Sequence, residues 1–128
     1  MEMPSLVAVV DDDFSVRESL ESLIRSAGMR VQVFASAEQF LNSPHLSNTN
    51  CLVLDVRMPG MSGTELHRHL ISKGYKLPVI FITAHASDPE TRAQALSDGA
   101  LAYLIKPFEE DELLDAVHTA LRSTHQDG

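Results

Sequence analysis

Two apolar runs in this chain end abruptly in carboxylates. Leu6–Val10 runs into Asp11, Asp12 and Asp13, and Cys51–Leu54 runs into Asp55. Short apolar runs of this kind read as buried strands. A carboxylate at the end of a buried strand is costly unless something neutralises it. In an open α/β sheet the carboxyl edge of the strands is also where ligands bind. Three or four acids gathered there require a divalent cation, and hard oxygen ligands suit Mg²⁺.

The rest of the chain repeats the same grammar. Apolar runs alternate with helix-periodic segments, the pattern of βαβ units and a parallel sheet. After the first run, Val16, Leu20, Leu23, Ile24 and Ala27 recur at helical spacing, and Gly28 stops them. Val31–Phe34 alternates and reads as an edge strand. Ser36-Ala37-Glu38-Gln39 reads as a capping box opening a short helix, and Pro44 to Asn50 as polar loop. A turn from Met58 to Gly63 restarts a helix carrying Leu66, Leu70 and Ile71. Val79–Ile82 is the fourth strand and ends at Thr83. Asp88-Pro89 is an N-cap followed by proline, opening a helix that offers mainly Ala93, Ala95 and Leu96. So little apolar surface predicts a loosely anchored element. Leu101–Ile105 is the fifth strand and ends at Lys106. The last helix begins among Glu109, Glu110, Asp111 and Glu112 and carries Leu113, Leu114, Val117 and Leu121.

Length and charge narrow the function. With 128 residues and 44% hydrophobic content, one packed domain is expected. A net charge of −8 repels nucleic acid and anionic membrane, so direct DNA binding and membrane association are not expected. No apolar run reaches the roughly 20 residues of a membrane span, and Met1 to Pro4 lacks the features of a signal peptide. Cys51 is the single cysteine, which excludes an internal disulfide framework and fits a reducing, cytoplasmic setting. Five of the six histidines read as scattered surface residues, His67 and His69, two apart on a helix, not facing each other; His85, two residues after Thr83, is expected at the rim of the site.

Right-handed crossovers bring the strand ends to one edge, uniting Asp11, Asp12, Asp55, Thr83 and Lys106. Two carboxylates about 4 Å apart repel by about 4 kcal/mol at an effective dielectric constant of about 20. One would then hold a proton unless a cation intervenes. Asp11 and Asp12 are expected to hold Mg²⁺, with Mn²⁺ as an alternative ion. Asp55 is expected to be both a ligand and a nucleophile toward a phosphoryl group. Phosphoryl transfer asks for position and neutralised charge, which Mg²⁺ and Lys106 supply, and the Thr83 hydroxyl can donate to a phosphoryl oxygen.

The set Val10-Asp11-Asp12, Asp55-Val56-Arg57-Met58-Pro59-Gly60, Thr83-Ala84 and Lys106-Pro107-Phe108 resembles a response-regulator receiver domain of two-component signalling, over Leu6 to Leu121. Arg57 to Gly63, with Ile82 to His85, resembles the branch of receivers found in FixJ-like nitrogen-fixation regulators. The resemblance implies a flavodoxin-like (βα)5 three-layer sandwich with a parallel five-stranded sheet in the order 2-1-3-4-5. Residues 1–123 would form the receiver domain, and 124–128 a tail or the start of a linker.

The resemblance also implies roles. Asp55 would be the phosphoacceptor for a phosphohistidine on a sensor histidine kinase or a phosphotransfer protein. Asp11, Asp12, Asp55 and the backbone carbonyl of Arg57 would be the metal ligands, and Lys106-Pro107 would be a cis peptide. Lys106 would pair with phosphoryl oxygens. Thr83 would turn inward on phosphorylation, and Tyr103 would follow it as the second switch residue. Arg57 and His85 would set the lifetime of the acyl phosphate. The face made by the fourth helix, fifth strand and fifth helix would then control a downstream partner, an attached output domain or a phosphorylation-dependent homodimer. The domain would catalyse its own phosphorylation and dephosphorylation without being an enzyme for an external metabolite.

Two other functions compete. A Mg²⁺-dependent aspartyl-phosphate phosphatase acting on an external substrate would need a general acid two residues after the nucleophile, where this chain has Arg57. A flavodoxin-like cofactor carrier would need a Ser/Thr/Gly-rich phosphate loop after the first strand, where Asp11 to Asp13 would repel the phosphate.

Overall fold

A computed structural model of the chain describes residues 5–84 and 88–126. Five strands and five helices alternate: β1 Leu6–Val10, α1 Phe14–Ser26, β2 Arg30–Phe34, α2 Ala37–Leu41, β3 Cys51–Asp55, α3 Gly63–Ser72, β4 Val79–Thr83, α4 Pro89–Ser97, β5 Ala102–Ile105 and α5 Glu110–Gln126. The strands are parallel and lie in the order β2-β1-β3-β4-β5. This is the expected flavodoxin-like sandwich, with β2 at one edge.

Alternation along each strand sends side chains to opposite faces. Val10, Leu52, Leu54 and Phe81 pack with Phe40 of α2, Leu66 and Leu70 of α3, and Ala95 of α4. Val7, Val9, Val53, Ile80 and Ile82 pack on the other face with Leu20 and Ile24 of α1 and Leu113, Val117, Ala120 and Leu121 of α5. Each large side chain fully withdrawn from water contributes about 1.5–3 kcal/mol. The α4 helix is the exception, because Ala95 alone among its residues is buried. One methyl group contributes only about 0.8 kcal/mol, so α4 is weakly anchored by packing, as its composition predicted.

Local detail departs from the sequence reading in several places. Ser36 caps α2 by accepting from Gln39 N (3.1 Å), but the Gln39 side chain accepts from Ala35 N (2.9 Å), one residue beyond the box position. The reciprocal box lies instead at α3. There Ser62 N donates to Glu65 Oε1 (2.9 Å) and Glu65 N donates to Ser62 Oγ (3.2 Å). The segment read as polar loop contains a 3₁₀ turn, Leu46–Asn48. Ile71 is exposed because α3 turns Gly63, Leu66, His67 and Leu70 inward. Leu101 lies outside β5, exposed, with only its N–H reaching the sheet at Val79 O (2.8 Å). The α5 helix continues to Gln126, through residues read as tail, although its apolar stripe ends at Leu121.

His67 is the clearest correction. It is not a surface histidine but 4% exposed, edge-on to Phe81 with ring centroids 5.6 Å apart. Its Nδ1 finds no hydrogen-bond partner among the described residues. Burial holds its pKa below the ordinary histidine value, so the ring packs as a neutral aromatic group.

Candidate functional site

Two strand ends deliver the three acids. Asp11 follows β1, Asp12 stands beside it, and Asp55 closes β3. One carboxylate oxygen from each lies within 4.8 Å of the others. Asp11 is fully buried, Asp55 is 7% exposed, and Asp12 faces solvent. A cleft of about 230 Å³ opens over Asp55, between Asp12, Arg57, Ala84 and Lys106.

Asp11 is held on both oxygens. Its Oδ1 accepts from Asp13 N (2.9 Å), and its Oδ2 pairs with Lys106 Nζ (3.1 Å). Asp13 in turn caps α1, accepting from Ser15 N and Val16 N, as expected for an acid at a helix start. Lys106 is therefore directed across the edge by Asp11. It arrives there because Lys106 N donates to Thr83 O (2.7 Å), which extends the β4–β5 pairing by one residue. The Lys106-Pro107 peptide is cis.

Asp55 sits in a different field. Burial, followed by the neighbouring Asp11, pushes its pKa up to about 7, against the opposing pull of Lys106 and of the Arg57 backbone. Three close carboxylates with one lysine lack positive charge. Their oxygen donors fit a hard divalent cation such as Mg²⁺ or Mn²⁺.

The remaining sequence candidates separate by position. Thr83 ends β4 at the same edge and is buried, with Ala84 lining the cleft next to it. Arg57 stands at the rim of the cleft, and its side chain meets Asp88 (Nη2–Oδ2 3.5 Å). Tyr103 is half-buried on the α4 side, with its ring 6.2 Å from that of Phe81. Burial and then Asp88 raise its hydroxyl pKa. His67, Phe81 and Tyr103 thus form a chain of rings from α3 to β5. His85 lies outside the described residues.

Two positioning residues escaped the sequence reading. Gly63 opens α3 directly against β3: a Cβ there would lie 2.1 Å from the Asp55 carbonyl oxygen. Its N–H donates to Val56 O (2.9 Å), which ties the helix start to the residue after Asp55. Glu38 of α2 reaches across to accept from Met61 N (3.1 Å), pinning the turn that follows Asp55. The glycine could have been suspected from the Ser62-Gly63-Thr64-Glu65 capping pattern. The Glu38 contact spans 23 residues and has no local signature.

A family model described as the response regulator receiver domain matches residues 7–118. The chain is 45% identical over 122 residues to the response regulator protein TmoT of Ectopseudomonas mendocina, covering 95% of this chain and 55% of that protein. It is 39% identical over 122 residues to the transcriptional regulatory protein FixJ of Azorhizobium caulinodans, covering 95% and 57%. Among solved structures, the response regulator StyR superposes with a TM-score of 0.90 at 46% identity, covering 98% of this chain and 63% of StyR. The chain spans a little over half the length of the curated relatives it matches. Among the described residues no helix is long and apolar enough to cross a membrane.

Proposed function

The chain belongs to the response regulator receiver domain family, with FixJ among its relatives, and on that premise we propose that Asp55 accepts a phosphoryl group and thereby switches a partner-binding surface. The observation that carries this reading is the meeting of Asp55 with Asp11, Asp12 and Lys106 at one sheet edge. The donor is a phosphohistidine on a sensor histidine kinase or a phosphotransfer protein. The bond from phosphorus to the imidazole nitrogen breaks as a bond to an Asp55 oxygen forms, giving an acyl phosphate. Water later cleaves that bond and returns the carboxylate and inorganic phosphate.

Asp11, Asp12, Asp55 and the Arg57 carbonyl would hold Mg²⁺. The ion supplies positive charge that keeps Asp55 ionised and offsets charge on the phosphoryl oxygens. Lys106, already drawn to the edge by Asp11, is within the same cleft to pair with those oxygens. The Thr83 hydroxyl is the donor on the β4 side, and Tyr103 follows its movement. Arg57 and His85 govern the access of hydrolytic water. Arg57 carries no exchangeable acid near neutral pH, which disfavours a phosphatase acting on external esters. The response passes to the α4-β5-α5 face, where Leu96, Leu101 and Ile105 are exposed, and from there to a protein partner, an output domain or a second copy.

Intact mass after incubation with acetyl phosphate tests the reading. One added phosphoryl group that requires both Mg²⁺ and Asp55, and is absent in Asp55→Asn, is the expected result. Phosphorylation elsewhere, or independent of the metal, would overturn it.

A further inference from the structure

We propose that two arginines downstream of Asp55 hold α4 at its two ends, and that Arg57 is the link through which charge on Asp55 reaches that helix. The proposal rests on Asp55 as phosphoacceptor and adds the route by which its state is transmitted.

The α4 helix has almost no core of its own, with only Ala95 buried. Its ends are instead fastened by charge. At the N-terminus, Asp88 caps the helix by accepting from Thr91 N (3.2 Å), and its other oxygen meets Arg57 Nη2 at 3.5 Å. At the C-terminus, Asp98 accepts from Arg68 Nε (2.9 Å) and Gln94 Nε2 (2.9 Å). Both arginines lie on the segment that leaves Asp55: Arg57 two residues later, Arg68 on α3.

The two fastenings are unequal. Arg68–Asp98 is short, and the Asp98 side chain is 19% exposed. Arg57–Asp88 is longer, with side chains 58% and 36% exposed, so water weakens it more. Arg57 also lines the cleft over Asp55, which roots its side chain beside the site. A phosphoryl group carries about −1.5 to −2 charges and three acceptor oxygens. It competes for a guanidinium better than the single carboxylate of Asp88 can. Arg57 then leaves Asp88 for the phosphoryl group. The N-terminal turn of α4 is freed while the Arg68–Asp98 pair holds the other end as a pivot. Tyr103 lies on the same face of the sheet as α4.

Asp88→Asn isolates the link, because asparagine keeps the capping oxygen and removes the charge. The probe is trifluoroberyllate with Mg²⁺, bound to the wild type, Asp88→Asn, Arg57→Ala and the double variant. Calorimetry reads affinity, and amide exchange reads Thr91 and Arg92 in the unliganded protein. Asp88→Asn is expected to bind the mimic about two- to fivefold more tightly and to exchange faster at those amides. On the Arg57→Ala background the affinity should not change, whereas the faster exchange should remain, because the Asp88 carboxylate also accepts from Thr91 N and Thr91 Oγ1. Unchanged affinity in Asp88→Asn, or the same gain without Arg57, overturns the link while leaving Asp55 as acceptor. No binding of the mimic by the wild type overturns the reading of Asp55, and the link falls with it.

Discussion

Gly63 abuts Asp55 so closely that the α3 backbone takes the space a side chain would need: a Cβ on Gly63 would stand 2.1 Å from the Asp55 carbonyl oxygen. The contact joins the start of a helix to the strand end that carries the reactive carboxylate. The neighbouring Ser62–Glu65 capping box fixes where that helix begins. The position of Asp55 is thus set from its backbone side by α3 as well as by the sheet.

Gly63→Ala should be costly for this reason. The clash is with backbone, so α3 or β3 must move. A loss of about 1–3 kcal/mol is expected from overpacking, measured by urea denaturation. Phosphorylation by acetyl phosphate should slow as well, because the shift falls on Asp55 itself.

Metal affinity should depend on pH through Asp55. Its pKa is raised from 3.8 to about 7, chiefly by burial and then by Asp11. Between those values the folded protein keeps a proton that the unfolded chain has released. Raising the pH through this window therefore removes stability from the metal-free protein. A cation must displace the same proton, so Mg²⁺ binding should weaken by up to about tenfold per pH unit below the folded pKa. Calorimetric titration across pH 5–8 checks this, and in Asp55→Asn the dependence should flatten.

Lys106→Met should destabilise the protein through Asp11. That carboxylate is fully buried, and Lys106 is its ion-pair partner at 3.1 Å. Stripping a buried charge of its partner costs about 3–5 kcal/mol, and partial exposure of Lys106 lowers the expected loss to about 1–3 kcal/mol. The loss should be smaller in Mg²⁺ than in chelator, because a cation in the cluster replaces the missing charge. Thermal melts in both conditions make the comparison.

Glu38→Gln should loosen the turn after Asp55 without unfolding it. Glu38 is exposed and contributes one charge-assisted bond to Met61 N. Removing its charge should cost less than about 1 kcal/mol. Faster amide exchange at Met61, with little change at β3, is the expected signature.

Much of the site was legible because its parts are local. Carboxylates that end apolar runs mark strand ends, and strand ends of a parallel sheet share an edge, so Asp11, Asp12, Asp55, Thr83 and Lys106 could be grouped before any coordinates. The poverty of α4 was equally plain from its alanines. What resisted was the partner of each charge. Lys106 reads as a phosphoryl-binding cation, yet here it is held by Asp11, 95 residues away. Arg57 reads as a rim residue, yet its side chain reaches Asp88 across 31 residues. His67 reads as surface because polar residues usually are, yet α3 turns it onto Phe81.

The sequence by itself determined the order of strands and helices, the edge that collects the acids, and the weakness of α4. These follow from period, caps and residue type, which act over a few neighbours. Only the tertiary structure decided the rotation of α3 that buries His67, the approach of Gly63 to Asp55, and the pairing of Arg57 and Arg68 with the two ends of α4. Those depend on distances between segments far apart in the chain. Such distances are set when two apolar faces close on one sheet, and no local pattern encodes them.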